Sequence, residues 1–276
     1  MVSFGLFCLM GYRDRGSPVS EVLGNAVQMV QWAEEAGFEA AWFAEHHFSN
    51  YCVCPSPLLM VNHCAGRTKR IKLGPAVIVV PLYHPVRLLA EIGMTQALLG
   101  EERFLLGLGS GYQPYEFERF DADLGQSKAR LEELAAQRGF VPIITGRWFG
   151  ADYLSEQRER IDASYAAEGM GGEAHELGIL RFVCVTESDE ETLDYLVNAR
   201  QQMRFAAALR NRQEAMDGGM LIESPFSGEP PLEEMAANLP AAGSTMSQAE
   251  RTIRAFASEI RPRIARALAE DPGAAR

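Results

Sequence analysis

The sequence predicts an α/β fold: a parallel sheet built as a (β/α)8 barrel. Three observations carry this. Apolar runs of strand length alternate with segments of helical periodicity. The run Ile71–Val80 (IKLGPAVIVV) is apolar nearly throughout, as a strand buried on both faces must be. The length, 276 residues, lies close to the roughly 250 of a typical barrel.

Each element has its own signal. Val2–Met10 is the first strand. Ser17-Pro18 offers an N-cap and a proline at the first helical position; Val22, Ala26, Val30 and Ala33 continue the helix to Gly37. Phe38–Glu45 is the second strand and Pro55–Gly66 a short helix. The third strand, Ile71–Val80, leads to a helix over Pro85–Leu99, ended by Gly100. Arg103–Gly109 is the fourth strand, and Tyr115–Ala136 reads as loop then helix. Phe140–Thr145 and Leu177–Thr186 are further strands, followed by helices over Tyr153–Glu168 and Glu190–Arg210. Met216–Ser244 reads mostly as loop. Gln248–Leu268 is a terminal helix with Ile253, Phe256, Ile260, Ile264 and Leu268 on one face, kinked at Pro262. Six strands result, where a closed barrel has eight. No short-period repeat and no domain boundary interrupts residues 1–276, which read as one domain.

Composition narrows the function classes. Apolar residues make up 47% and charged residues 23%, which excludes a disordered chain. The 37 acidic against 26 basic residues leave a net charge of −11, which argues against a nucleic-acid or anionic-membrane surface. Five cysteines at irregular spacing, including Cys52-Val53-Cys54, form no Cys-x-x-Cys site and fit a reduced, cytoplasmic compartment. No run of 18 apolar residues offers a membrane span, and the apolar N-terminus lacks the basic region of a signal peptide.

The chemistry-bearing residues fall at strand ends, where parallel barrels place their active sites. The second strand ends in Glu45-His46-His47-Phe48. Adjacent side chains on extended backbone point to opposite sides, so one histidine faces the barrel mouth and the other packs or orients the first. Three residues in a row do not converge as metal ligands do. The fourth strand ends in Gly107-Leu-Gly109-Ser110-Gly111-Tyr112, which fails the G-x-G-x-x-G spacing because Tyr112 stands at the last glycine position. Its glycines instead permit close backbone approach to a flat ligand. Gly74-Pro75-Ala76-Val77 in the third strand reads either as backbone pressed on a ligand or as a Gly/Pro bulge. His84 either caps the next helix or lines the mouth. After the Phe140–Thr145 strand, Trp148 either lines the substrate side or stands away from it, and Arg147 either reaches a phosphate or carboxylate group of a ligand or is simply solvated.

Taken together these motifs resemble the bacterial-luciferase-like family of flavin-dependent monooxygenases. The resemblance rests on Phe4-Gly5-Leu6-Phe7 and on Gly37-Phe38 through Trp42-Phe-Ala-Glu45-His46-His47-Phe48. It continues in Leu73-Gly74-x-Ala76-Val77 to Pro81-x-x-His84-Pro85, Arg103-Phe104 to Gly111-Tyr112 with Glu116-Phe117, and Phe256 to Pro262. It implies a luciferase-like (β/α)8 barrel that uses reduced FMN and O2, through a C4a-(hydro)peroxide of the flavin, to oxidise a small organic substrate. A separate flavin reductase supplies the reduced flavin, and a homodimer forms through the second and third helices. By resemblance His46 is the general base, suited by a pKa near neutrality. Glu45, Ala76, Val77, Gly109, Ser110 and Tyr112 line the flavin, with a cis peptide at Ala76–Val77, and Lys128 stands where an arginine binds the FMN phosphate.

Some features depart from the family pattern. Gly109 replaces luciferase's reactive cysteine, which argues against light emission from an aldehyde. Glu133–Leu134 joins what looks like the start of one helix to the end of a later one, and Ser244–Thr245 is a similar junction. Two βα units are thereby absent from the sequence, either as further segments of a longer polypeptide or as true deletions. Two other functions fit the same pattern: an F420-dependent oxidoreductase, and, if the deletions are genuine, a non-catalytic flavin-binding protein.

Overall fold

The structure, a computed structural model, describes residues 3–13, 15–125, 141–145, 151–167, 169, 177–180, 183–238 and 246–270. The junctions at 133/134 and 244/245 lie outside the described residues, as do Lys128, Arg147 and Trp148.

Strand β1 (Gly5–Cys8), helix α1 (Val19–Glu35), β2 (Ala40–Phe43), α2 (Pro57–Ala65) and β3 (Lys72–Pro75) form successive βαβ units. The three strands are parallel, with Ala40 opposite both Gly5 and Lys72. β4 (Ile78–Val79), α3 (Pro85–Leu99), β5 (Leu108–Gly109) and the short α4 (Pro114–Arg119) follow. β4 pairs in parallel with β5, and a bridge between Leu73 and Phe104 joins β3 to the approach to β5. The expected third strand is thus split. Leu73 faces Phe104 while Ile78 faces Leu108, so one extra residue bulges out around Ala76–Val77.

Helix α1 buries Ala26, Val27, Val30 and Ala33, and Gly37 turns the chain at φ +76°. Pro18, not Ser17, occupies the N-cap position, and α1 begins one residue later than expected. Glu34 at the end of α1 accepts N–H groups of Lys69, Arg70 and Ile71 at 2.8, 2.6 and 3.0 Å, fastening α1 to the entry of β3. Burial raises the Glu34 carboxyl pKa, but these amides outweigh it and hold the group below its ordinary value.

β6 (Ile143–Thr145) and β7 (Gly178–Leu180) pair in parallel, and α5 (Ala151–Ala167) lies between them in sequence. All six expected strand regions therefore form parallel pairs. Among the described residues, no ladder joins β6–β7 to the other strands.

α6 (Asp189–Arg210) packs Phe205 and Leu209 into the core that holds Phe43, Leu73 and Val61. Among the described residues 216–238 loop predominates, interrupted by two short elements: Gly218 and Gly219, at φ +54° and +81°, turn an antiparallel hairpin of β8 (Met216–Asp217) and β9 (Met220–Leu221), and α7 spans Leu232–Asn238. The terminal helix is irregular just before Pro262. α8 (Met246–Ala255) runs into a π-helical segment, Phe256–Ile260, and then α9 (Arg261–Glu270), which carries Pro262 in its first turn. Pro262 has no N–H for the carbonyl of Ser258, and the wide turn takes up that loss.

Candidate active site

The site forms where β2, β4 and β5 end. Glu45, His46 and His47 are all buried there. Their side chains diverge as alternation requires, and each histidine finds its own carboxylate. His47 Nε2 lies 2.8 Å from Glu45 Oε1, and His46 Nδ1 lies 3.0 Å from Glu116 Oε1. Both carboxylates are at most 1% exposed.

Glu45 ties three elements together. Its second oxygen accepts the Val79 amide at 3.0 Å, just past the bulge. It also takes a hydrogen bond from Tyr83; burial and the Glu45 charge push that phenol far above its ordinary pKa, so it stays a donor. Glu116 stands in the first turn of α4 and additionally accepts the His47 amide at 2.7 Å.

The His46 ring is wedged edge-on between Tyr51 and Tyr112, with centroids 4.7 and 5.8 Å away. Gln113 Nε2 donates to the Tyr112 hydroxyl at 3.2 Å, and the Arg210 guanidinium lies 5.0 Å from the Tyr112 ring centre. Phe48, at φ +59°, turns the chain away and leaves its ring exposed against Phe120.

The third and fourth strand ends supply a floor of small groups. The Ala76–Val77 peptide is cis, and both residues are half-buried between buried Pro75 and Ile78. Gly109 lies so close to Val77 that an added Cβ would run into its methyl group. Gly111, at φ +73°, passes under Phe117 and Val79. Of the two alternatives offered by the sequence, the bulge is present.

Among the residues expected from the sequence, the structure brings His46 against Tyr112 and Gly109 against Val77. His84 sits at the N-cap position of α3, exposed and making no side-chain cap. Sequence reasoning singled out neither Tyr83 nor Glu116 as a site residue. Glu116 had one legible signal: it recurs in the motif after the glycine-rich turn. Beneath the site Cys52 and Cys54 are buried neutral thiols, burial being the main cause of their raised pKa values. Among the described residues no His/Cys/Asp/Glu group could hold a metal ion, and no helix is long and apolar enough to cross a membrane.

The geometry has counterparts in known proteins. The model of luciferase-like monooxygenases matches residues 2–136. The uncharacterized protein y4vJ of Sinorhizobium fredii is 33% identical over 291 residues, covering 87% of this chain and 83% of that protein. The oxygenase component of a flavin-dependent trigonelline monooxygenase from Acinetobacter baylyi is 30% identical over 152 residues, 54% of this chain but only 40% of that protein. Among solved structures, the oxygenating constituent of 3,6-diketocamphane monooxygenase from Pseudomonas putida, in complex with FMN, superposes with a TM-score of 0.72 at 15% identity. That superposition covers 95% of this chain and 98% of the other. A coenzyme F420-dependent tetrahydromethanopterin reductase from Methanopyrus kandleri gives 0.55 at 15% identity, over 95% and 99% of the two chains. These likenesses establish a shared fold.

Proposed function

We infer the activity of this chain from one premise: it belongs to the luciferase-like monooxygenase family, a family of oxidoreductases. Our reading is a monooxygenase that takes reduced FMN and O2 and oxidises a small organic substrate. The observation that carries it is a buried histidine–carboxylate pair, His46 with Glu116, beside strand ends made of small, partly exposed residues.

Those strand ends fit a flat ring. Ala76, Val77 and Ser110 are partly exposed with little side-chain bulk, and Tyr112 is 36% exposed beside them. These residues would hold the flavin, with buried Gly109 and Glu45 shaping the site from behind; Lys128 is our candidate for its phosphate. When bound, reduced FMN supplies the two electrons that activate O2. His46 moves the proton, a role that suits imidazole. The experiment mixes the protein with chemically reduced FMN and air, then follows flavin absorbance and product over a broad substrate panel. Expected are a transient flavin species and an oxygenated product. Neither one appearing would overturn the reading. His46→Ala should lower turnover by about 10²–10⁴ with flavin affinity unchanged.

F420 is the second reading, favoured by the fold shared with the F420-dependent reductase; titration with FMN and F420 in parallel decides between them. We further read the chain as one barrel domain lacking βα units at 133/134 and 244/245. Support comes from the match to y4vJ, whose alignment runs over 291 positions while taking in only 87% of the 276 residues here, as happens when the relative carries extra internal segments. For partners we propose a flavin reductase and a second copy of the chain. α2 exposes Leu59, and α3 exposes Val86, Leu89, Met94 and Leu98, each 63% or more accessible. Such an apolar surface fits a homodimer interface, and light scattering on the purified protein tests it. A cytoplasmic location is part of the same proposal.

A further inference from the structure

We propose that Glu116 is a positioning residue that sets the tautomer of His46. This deepens the reading above and rests on it for the catalytic consequence only. The argument turns on one oxygen. Glu116 Oε1 accepts the backbone N–H of His47 at 2.7 Å. An amide N–H has no alternative role, so that oxygen is an acceptor. The same oxygen lies 3.0 Å from His46 Nδ1, and Nδ1 therefore carries the proton. In the neutral ring the lone pair is then on Nε2. Among the described residues no hydrogen bond reaches Nε2 of His46.

The ring has little freedom to choose otherwise. Tyr51 and Tyr112 grip it edge-on, interplanar angles 78° and 80°. Glu116 is itself 1% exposed, and α4 presents it from a first turn anchored at Gln113. One carboxylate oxygen thus fixes two successive residues of the β2 end: the main chain of His47 and the ring of His46. The outcome is a base whose free nitrogen is assigned before any ligand arrives. Free histidine in water favours the opposite tautomer, with the proton on Nε2. Without Glu116 the ring would present a donor where the reaction needs an acceptor.

The test is long-range ¹H–¹⁵N correlation NMR on ¹⁵N-labelled protein, with the His46 signals assigned from the His46→Gln variant. The native neutral ring should show a protonated Nδ1 and a bare Nε2. Glu116→Ala should shift the ring toward the Nε2–H form, with turnover lower by about tenfold or more and KM little changed. Glu116→Gln, whose amide oxygen accepts as the carboxylate does, should restore the native tautomer. A structural role alone would leave the tautomer unmoved. A native ring protonated on Nε2, or a Glu116→Ala ring still protonated on Nδ1, overturns the proposal. The native spectrum decides even if Glu116→Ala does not fold. The spectrum needs no flavin, so a native ring protonated on Nδ1 in a protein that oxidises nothing would refute the flavin reading and leave this one standing.

Discussion

Carboxylates are paired in two different ways in two regions of the molecule. At the β2–β5 rim, Glu45 and Glu116 are at most 1% exposed and hold histidines. In the C-terminal region the partners are arginines nearer the surface. Arg204 bridges Glu223 at 2.8 Å and Glu229 at 2.5 Å, and Arg251 bridges Glu187 at 2.9 Å and Glu191 at 2.6 Å. The Arg204 side chain is 16% and the Glu187 side chain 69% exposed. Desolvating a carboxylate is costly, and an apolar replacement of similar shape often does as well for stability. Burial of two carboxylates in one place therefore points to chemistry, whereas the arginine network needs only to staple helices and loops together.

Breaking the buried side should have the largest effect. Glu45→Ala leaves the His47 ring, the Val79 amide and the Tyr83 hydroxyl without their acceptor. Removing one partner of such a buried pair costs about 3–5 kcal/mol. Chemical denaturation should show that loss, and it should hardly change with salt, since the pair is shielded from counterions.

The next effect in size probes the floor rather than the charges. Gly109→Ala drives a methyl group into Val77 across the β4–β5 ladder. Overpacking of this kind costs about 1–3 kcal/mol, and the thermal midpoint should fall accordingly. An unchanged midpoint would mean that the backbone around Ala76–Val77 yields easily, against the close packing seen there. By contrast, Arg204→Ala removes part-buried bridges close to the surface and should cost about 1 kcal/mol, shrinking as salt is added.

The contrast between the two regions also separates what a sequence reveals from what it hides. Glu45 and His46 were legible because a strand-length apolar run ends on them, and strand ends in parallel sheets face the site. The glycine-rich turn after β5 was legible for the same reason. Glu116 was legible only as part of the motif after that turn and not as a partner of His46, because the two lie 70 residues apart and α4 is only six residues long, too short for periodicity to show which face is buried. The hairpin at Met216–Leu221 was missed although Gly218-Gly219 is a two-residue turn signal, because its flanking strands hold only two residues each. At the C-terminus Pro262 marked the irregularity but not its place, since proline disturbs the turn before it.

The last prediction concerns the buried thiols of Cys54 and Cys64, whose effect on stability is absent at neutral pH and grows only in alkali. Burial pushes Cys54 and Cys64 up to about 12 from an ordinary 9.0, so both stay protonated in the folded protein at neutral pH. A raised folded-state pKa means that the native state holds its protons longer than the unfolded chain. The stabilisation is fully present below about pH 9, where both states are protonated, and declines as pH rises from 9 toward 12. Denaturation midpoints taken across that window should fall with pH, and Cys54→Ala/Cys64→Ala protein should show a shallower decline. Because the thiolate is the reactive form, an aromatic disulfide reagent at pH 8 should modify these cysteines far more slowly in native than in urea-unfolded protein. Half-buried Cys184, in the arginine-bridged region, should react ahead of them. If Cys54 and Cys64 kept pace with Cys184, the rim would be opening to water on the timescale of labelling, and the distinction between a sealed site and a stapled periphery would fail.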